Sequence, residues 1–285
     1  MSDTGIYYIA TGDDFVREAE ISARSVRSAM PDVSIAIATD VDPEFNFDHV
    51  IDIPEPEHSF ADQIYNLHRS PFDKTLHLDT DIYIGTDVSE LFDLLDRFDI
   101  AAAYNHNREV YDPPGVPSSF PEYNTGVVVY ENNRNFEAFL QEWEENYVEL
   151  RTEENTQNQP SFRKTLYESD LRLTTLTPEY NCMVRYPGHV RNNVKIAHSR
   201  LLDIETAGAK RSVDVVDALE TLNRYEGHRL YVPEGKNGVS VIYRRMPAGA
   251  PIYKRAVNSI QVDGISKTAK KGLSMITDYL KNRKS

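Results

Sequence analysis

The chain of 285 residues is long enough for one large α/β domain or two small ones. Hydrophobic residues make up 40% of it and charged residues 27%, which predicts a globular protein and excludes a disordered polyelectrolyte. The formal net charge of −14 argues against a general affinity for nucleic acids. A lone cysteine, Cys182, excludes a disulfide scaffold and fits a reducing, cytoplasmic compartment. No signal peptide and no membrane-spanning run is expected.

Charge is distributed unevenly along the chain. Residues 244–285 hold ten basic and two acidic residues, a net charge of +8, which leaves −22 for residues 1–243. The first 195 residues contain three lysines: Lys74, Lys164 and Lys195. An acidic, lysine-poor body is typical of a protein that stays soluble in concentrated salt, and it predicts a halophilic archaeal source. An ordinary acidic cytoplasmic enzyme is the alternative.

Strand-like and helix-like segments alternate from the start, which predicts an α/β fold with a mostly parallel central sheet flanked by helices. The predicted strands span residues 5–11, 33–39, 49–53, 75–83, 100–104, 126–130, 171–176 and 194–198. The predicted helices span residues 13–30, 59–69, 88–95, 135–150 and 265–281. Residues 105–121 contain four prolines and one glycine, which predicts a long irregular loop that serves as a lid or binding loop.

A pair of acidic residues gives the clearest chemical signal. Asp79 and Asp81 close a predicted buried strand, where side chains at positions i and i+2 point the same way. Carboxylates at that spacing suit Mg²⁺ or Mn²⁺ shared with a diphosphate. The carboxyl ends of strands in an open parallel sheet are also where ligands bind. Because aspartates are common in turns, a simple strand-end turn is the alternative.

Six segments in order then resemble one enzyme family. They are residues 7–12, 70–81, 123–129, 158–160, 178–181 and 195–198. Together they resemble the metal-dependent GT-A glycosyltransferases of the glycogenin and lipopolysaccharide galactosyltransferase group, glycosyltransferase family 8. The resemblance covers roughly residues 5 to 200 and implies a GT-A fold with a C-terminal helical extension.

The resemblance also implies roles for individual residues. The implied ligands of Mn²⁺ or Mg²⁺ are Asp79, Asp81 and His198. The implied nucleotide-binding residues are Ala10, Thr11, Gly12, Phe15, Lys74, Thr80 and Arg200. The residues implied to face the donor sugar and the acceptor are Asn124, Gly126, Gln159 and Asn181.

The implied reaction is transfer of a sugar from a nucleotide-diphosphate donor, a UDP-sugar first, to a glycan or a lipid-linked acceptor. Transfer with retention needs no strong protein nucleophile, so no catalytic base is assigned. An inverting enzyme would need an acid to take the acceptor proton, and Glu122 and Glu179 beside the motifs are the candidates for it.

The sequence departs from the family where Gly12 replaces an acid, where Asn158 replaces an aspartate, and where Ser199 and Arg200 replace a glycine and a lysine. Arg200 is expected to take over the lysine's role, because a guanidinium pairs well with phosphate. A sugar-nucleotide nucleotidyltransferase and a catalytically silent binding protein are the alternatives.

The boundary in charge predicts two parts, a glycosyltransferase domain over residues 1–243 and a basic extension over residues 244–285. In the extension, one helical face gathers the apolar residues Ile265, Ala269, Leu273, Ile276 and Leu280, and lysines lie away from it. Such a helix predicts peripheral binding to an anionic membrane surface. A helix packed on the domain with its lysines in solvent is the alternative.

Overall fold

A seven-stranded mixed sheet forms the centre of the computed structural model, which describes residues 4–105, 111–152, 155–202, 214–235, 238–245, 251, 253–257, 259–260, 265–270 and 272–273. Its strands are β1 (Thr4–Ile9), β2 (Ser34–Thr39), β3 (His49–Asp52), β4 (Lys74–Leu78), β6 (Ile100–Tyr104), β7 (Tyr123–Glu131) and β8 (Leu173–Leu176). The strand order is β3-β2-β1-β4-β7-β6-β8, and β7 alone runs antiparallel to its neighbours. The predicted α/β class with a mostly parallel sheet is confirmed.

Helices cover both faces of this sheet. They are α1 (Asp13–Ala29), α2 (Phe60–Asn66), α3 (Arg134–Leu150) and α4 (Gln159–Glu168), with a 3-10 segment at Ser89–Asp96. In β7, Val127 and Val129 pack with α1 and the 3-10 segment, whereas Val128 and Tyr130 pack with α2, α3 and α4. This alternation of buried side chains explains why β7 is apolar throughout its second half.

The predicted strand 75–83 is divided in the structure, and that prediction of one strand was wrong. After β4 the chain turns through residues 79–81 and continues as β5 (Ile82–Ile84) in a second sheet. There β5 pairs with β11 (Ile196–His198), which also pairs with β9 (Cys182–Met183). The acidic motif therefore lies where the chain passes from one sheet to the other.

Several elements differ from the predictions or were not predicted. Strand β7 begins at Tyr123, three residues earlier than expected, and α4 was not predicted. A third sheet joins β10 (Gly188–Val190), β12 (His228–Pro233) and β13 (Val239–Arg245), with α5 (Val215–Asn223) packed beside it. The predicted domain boundary at residue 243 falls inside β13.

The loop predicted over residues 105–121 is irregular where the structure describes it, and it is anchored. The fully buried Arg163 of α4 donates to the carbonyls of Pro117 and Phe120 at 2.8 and 3.0 Å and pairs with Asp112 at 2.5 Å. Residues 106–110 lie outside the described part of the chain. Arg163 therefore ties residues 111–121 of this loop to α4.

The predicted C-terminal helix falls partly outside the described residues. Residues 265–270 and 272–273 are helical, and residues 271 and 274–281 of the predicted helix lie outside the described part. Across the described ranges, no helix is both long enough and apolar enough to cross a membrane.

Candidate metal and nucleotide site

The two acids of the motif meet a distant histidine at the junction of the first two sheets. Because β7 is antiparallel to β4, the start of β7 lies beside the end of β4, and the Asp79 amide donates to the Gly126 carbonyl at 2.8 Å. Strand β11 places His198 opposite Ile82, and the Ser199 amide donates to the Asp81 carbonyl at 3.0 Å. Backbone hydrogen bonds thus fix both sides of the site.

Asp79, Asp81 and His198 form a compact group whose potential ligand atoms all lie within 4.8 Å of one another. The side chains of Asp81 and His198 are almost fully buried, and that of Asp79 is 34% exposed. Two carboxylates and one imidazole suit Mn²⁺, which accepts both oxygen and nitrogen ligands. The structure brings the three predicted ligands together.

A chain of hydrogen bonds fixes the tautomer of His198. The Gly126 amide is a donor, so the Asn124 atom that faces it at 3.0 Å is the side-chain oxygen. That oxygen also accepts from the Asn181 amide group at 2.7 Å, so the Asn181 oxygen faces His198 Nδ1 at 2.8 Å. His198 therefore carries a hydrogen on Nδ1, and in the neutral ring Nε2 has a lone pair.

The lone pair of His198 Nε2 points at another acceptor. It lies 3.1 Å from Oδ1 of Asp81, which also has only lone pairs to offer. Two facing acceptors at that distance require a proton or a cation between them. The residues present therefore fit a divalent metal ion, and the amide of Asn181 behind the imidazole is the kind of outer partner that holds a metal-binding histidine in place.

The absence of a side chain at Gly126 leaves room for the side chains of Asp79 and His198. A Cβ atom at this position would lie 2.7 Å from Asp79 Oδ2 and 2.7 Å from His198 Cε1, well inside contact distance. The backbone of β7 thus packs directly against two of the three candidate ligands. Asn124, Asn181 and Gly126, predicted from the resemblance, all lie at the cluster.

Two arginines flank the other oxygen of Asp81. Arg185 Nη1 lies 3.4 Å and Arg200 Nε 3.9 Å from Oδ2. Burial alone would raise the pKa of Asp81, but His198 with a proton on Nε2, together with the two guanidinium groups, outweighs it and holds that pKa well below its usual range. Arg200 was predicted from the sequence, whereas Arg185 was missed, because nothing in its neighbourhood along the chain marks it as a site residue.

Glu18 is a second functional residue that the sequence did not reveal. It is fully buried on α1, and its carboxylate accepts hydrogen bonds from the Thr80 hydroxyl at 2.7 Å, Arg200 at 2.8 Å and the Leu201 amide at 2.9 Å. Burial and the nearby charge of Asp81 raise the pKa of Glu18. A charged residue within the buried face of an amphipathic helix was the available signal.

The predicted nucleotide-binding residues of β1 and α1 lie at the carboxyl end of β1. Ala10 and Thr11 are buried there, and Gly12 has a φ of 83°, which a side chain rarely adopts. The Thr11 hydroxyl donates to Asp62 at 2.8 Å and the Gly12 amide to Asp40 at 2.8 Å.

Phe15 lies between the carboxyl end of β1 and the group of Asp79, Asp81 and His198. The Arg200 guanidinium lies over its ring, 5.4 Å from the centroid, in a cation–π arrangement. Phe15 is also partly buried against the core on the α1 side of the sheet. Arg200 therefore links Phe15 to Asp81, whose Oδ2 lies 3.9 Å from the Arg200 Nε.

Lys74 and Gln159 lie apart from the group of Asp79, Asp81 and His198. Lys74 begins β4, five residues before Asp79, roughly 16 Å away along an extended strand, and it pairs with Asp96 at 2.7 Å. Gln159 begins α4 and accepts a hydrogen bond from Asn105 at 2.8 Å. The position of Gln159 is one strand away from the cluster, beyond Asn124.

A buried network of amide side chains lies beside Asp79, whose Oδ1 is 3.6 Å from His77 Nε2. The His77 ring nitrogen Nδ1 faces a main-chain carbonyl of β1, so its Nε2 accepts from Gln63 at 2.7 Å. Gln63 also donates to the Thr125 carbonyl at 2.9 Å and accepts from Asn158 at 2.5 Å. Asn158 stands where glycosyltransferase family 8 has an aspartate. It thus completes this network with an uncharged amide.

Solved structures to which the chain is similar include glycosyltransferases. The chain is similar to the glycosyltransferase GlyE of Streptococcus pneumoniae TIGR4, with 18% identity over 65% of this chain and 48% of that chain and a TM-score of 0.48. It is similar to the galactosyltransferase LgtC in complex with donor and acceptor sugar analogues, with 16% identity over 72% and 92% and a TM-score of 0.47. The bifunctional glycosyltransferase WbbM shares 14% identity over 65% and 40%, with a TM-score of 0.48. The chain spans less than half the length of GlyE and WbbM. No protein-family model and no curated protein sequence matches the chain.

Proposed function

We propose that the chain is a metal-dependent GT-A glycosyltransferase that moves a sugar from a nucleotide-diphosphate donor to a hydroxyl acceptor. The observation that carries this proposal is the group of Asp79, Asp81 and His198 at the strand-end edge, with the backbone of Gly126 against it. The convergence of two carboxylates and one imidazole nitrogen within 4.8 Å of one another favours a bound cation over a simple strand-end turn. The six sequence segments that resemble glycosyltransferase family 8 support the choice of reaction.

Asp79, Asp81 and His198 would hold Mn²⁺ or Mg²⁺. A divalent cation at this position supplies neutralisation of the charge that grows on a leaving diphosphate. Mn²⁺ is the first choice, because Mg²⁺ favours an all-oxygen ligand set. Asn181 keeps the imidazole in the tautomer that leaves Nε2 able to bind, and it does so without a charge of its own.

The remaining residues divide between the two ends of the site. The nucleotide is proposed to bind beside Ala10, Thr11, Gly12 and Phe15, with Thr80 and Arg200 on its diphosphate side. Asn124, Gly126 and Asn181 would face the donor sugar, and Gln159, one strand further along, the acceptor. A UDP-sugar is the first donor to test, and a glycan the first class of acceptor.

We propose transfer with retention of configuration and assign no catalytic base. The two acids beside the motifs have other tasks. Glu179 is buried and accepts hydrogen bonds from the backbone amides of Arg191 and Asn192, and Glu122 is buried and bonded to Asn105. Both carboxylates are therefore engaged in hydrogen bonds that stabilise the fold.

An assay with a panel of sugar nucleotides tests the reaction. The protein is incubated with Mn²⁺ and UDP-, GDP- and ADP-sugars, and free nucleoside diphosphate is measured. We expect release that EDTA abolishes and Mn²⁺ restores, and a loss of at least about a hundredfold in Asp79→Asn, the range for removal of a major electrostatic stabiliser. The matched control Asp93→Asn, an exposed acid outside the site, should keep full activity.

Three outcomes would contradict the proposal. Full activity in EDTA would remove the metal site. Release of pyrophosphate from a nucleoside triphosphate and a sugar phosphate would point to a nucleotidyltransferase. Binding of Mn²⁺ and nucleotide without turnover of any donor would point to a binding protein.

We also propose that the extension binds an anionic membrane surface and that the acceptor is lipid-linked. In the described part of the helix, Ile265 and Leu273 are 75% and 66% exposed, so the apolar face is not covered by the domain at these residues. Lysines drawn to anionic lipid contribute about 1 kcal/mol each near the surface. The cytoplasmic, peripheral location rests on this proposal, and the halophilic source stays a prediction.

Co-sedimentation with vesicles tests the membrane proposal. Vesicles of anionic lipid should carry the protein down at low salt, and vesicles of neutral lipid should not. A chain ended before Asp263 should remain in the supernatant in both cases. Absence of binding by the intact protein at every salt concentration would refute the proposal.

A further inference from the structure

We propose that Arg185 is a diphosphate-binding residue of this site, with Arg200 as its fixed partner. The inference rests on the proposed function and adds a residue that the sequence motifs do not contain. It follows from the way in which Arg185 is bonded, from the balance of charge around Asp81 and from the different anchoring of the two arginines.

Arg185 uses little of its hydrogen-bonding capacity. Its hydrogen bond to Asp81 is long, at 3.4 Å, and its Nε is buried with no hydrogen-bond partner among the described residues. The Nε of Arg200 is likewise buried without a hydrogen-bond partner among the described residues, whereas Arg163, the buried arginine of α4, has partners at 3.0 Å or less for its Nε and both terminal nitrogens. Buried donors without partners are costly, so the surroundings of Arg185 suit an additional acceptor.

The charge around Asp81 also calls for an anion once a metal is bound. Glu18, Asp79 and Asp81 bring three carboxylates, against the two guanidinium groups of Arg185 and Arg200. These described groups therefore carry one excess negative charge. A divalent cation would turn this into one excess positive charge, which attracts an anion such as a diphosphate.

The two arginines differ in how firmly they are held. Arg200 is fixed by Glu18 at 2.8 Å and by the ring of Phe15. Arg185 has its weak bond to Asp81 and a contact with the ring of Tyr186, whose centroid is 5.6 Å away, and 23% of its side chain is exposed. Arg185 is therefore the side chain that can leave Asp81 for a phosphate oxygen. Its planar fork suits two oxygens of one phosphate group.

Two binding measurements on the full chain separate this role from a structural one. Free Mn²⁺ is titrated by its electron paramagnetic resonance signal, and inorganic pyrophosphate at micromolar concentration is titrated by calorimetry with Mn²⁺ present. In Arg185→Gln, Mn²⁺ affinity should be unchanged or higher, because a positive charge beside Asp81 is lost. Pyrophosphate affinity should fall about 10- to 100-fold, the effect of losing a charged hydrogen-bonding pair.

Controls make each outcome decisive. Arg185→Lys should bind pyrophosphate with intermediate affinity, and Arg97→Gln, an exposed arginine after the 3-10 segment, should match the wild type. Unchanged pyrophosphate affinity in Arg185→Gln, with Mn²⁺ bound normally, would overturn the inference and leave the proposed function standing. Equal loss of Mn²⁺ and pyrophosphate affinity would also overturn it. A wild-type protein that binds no Mn²⁺ would overturn both.

Discussion

Asn181 accepts the Nδ1 hydrogen of His198 at 2.8 Å and thereby decides which ring nitrogen is free to bind a cation. The relationship extends to β7, because the orientation of the Asn181 amide is set by Asn124, which in turn is set by the Gly126 amide. A hydrogen bond from a backbone amide to a side chain of the same strand thus determines which nitrogen of a histidine on another sheet is free to bind a cation.

Replacing Asn181 should weaken metal binding while the fold persists. In Asn181→Ala the His198 ring loses its fixed orientation, and we expect Mn²⁺ affinity to fall about 10- to 100-fold, as for other outer partners of metal-binding histidines. Titration of free Mn²⁺ by electron paramagnetic resonance measures this. The exposed Asn193→Ala is the control and should bind like the wild type. Equal affinities in the two variants would show that His198 does not depend on Asn181.

Gly126→Ala should abolish Mn²⁺ binding without unfolding the protein. The added Cβ would lie 2.7 Å from atoms of both Asp79 and His198, so these side chains must move apart. Gly85→Ala is the matched control, because its Cβ would meet a side-chain methyl of Leu219 at 3.2 Å, which can shift. We expect Gly85→Ala to retain binding. Normal Mn²⁺ affinity in Gly126→Ala would contradict the arrangement of the site.

Glu18→Gln should lower stability. The glutamine has nearly the same shape, but its amide group would face a donor, either at Thr80 and Arg200 or at the Leu201 amide. A buried donor left without an acceptor costs about 1–3 kcal/mol, which urea unfolding measures. Glu142→Gln, an exposed position of α3, is the control. A variant as stable as the wild type would show that Glu18 is not an obligatory acceptor.

Cys182 should resist alkylation in the native protein. Burial raises the pKa of its thiol to about 12, so very little reactive thiolate exists at pH 8. Iodoacetamide should modify the unfolded chain readily and the native chain far more slowly, as mass spectrometry can follow. Rapid modification of the native protein would mean that the core around β9 opens easily.

The grouping of the candidate metal ligands could be predicted from the sequence, and their electrostatic partners could not. Asp79, Asp81 and His198 lie in segments with a recognisable order, and the carboxyl ends of parallel strands meet at one edge. Arg185 reaches Asp81 from the turn after β9, and Glu18 reaches Thr80 and Arg200 from α1, across sequence separations that no local pattern records. Lys74 shows the opposite case. It is only five residues from Asp79 in the sequence, but an extended strand separates the two residues in space.

The boundaries of elements were predictable where apolar runs are long, as in β1 and β2. The single strand predicted over residues 75–83 is two strands in the structure. The side chains on both sides of the turn are apolar, so the hydrophobic pattern does not show that the chain changes sheets there. The sequence shows no break there apart from the two acids, which were interpreted as ligands rather than as the turn itself. Pairing with β11, about 115 residues later, decides the matter.

The antiparallel course of β7 restricts how the chain can change in length. The beginning of β7 faces the end of β4, with Leu78 opposite Val127 and the Asp79 amide bonded to Gly126. A one-residue deletion or insertion within β7 would bring a side chain opposite Asp79 in place of Gly126 and would turn the apolar residues to the other face. Insertions and deletions in relatives should therefore collect in the loop before Tyr123, while the spacing from there to Gly126 stays constant.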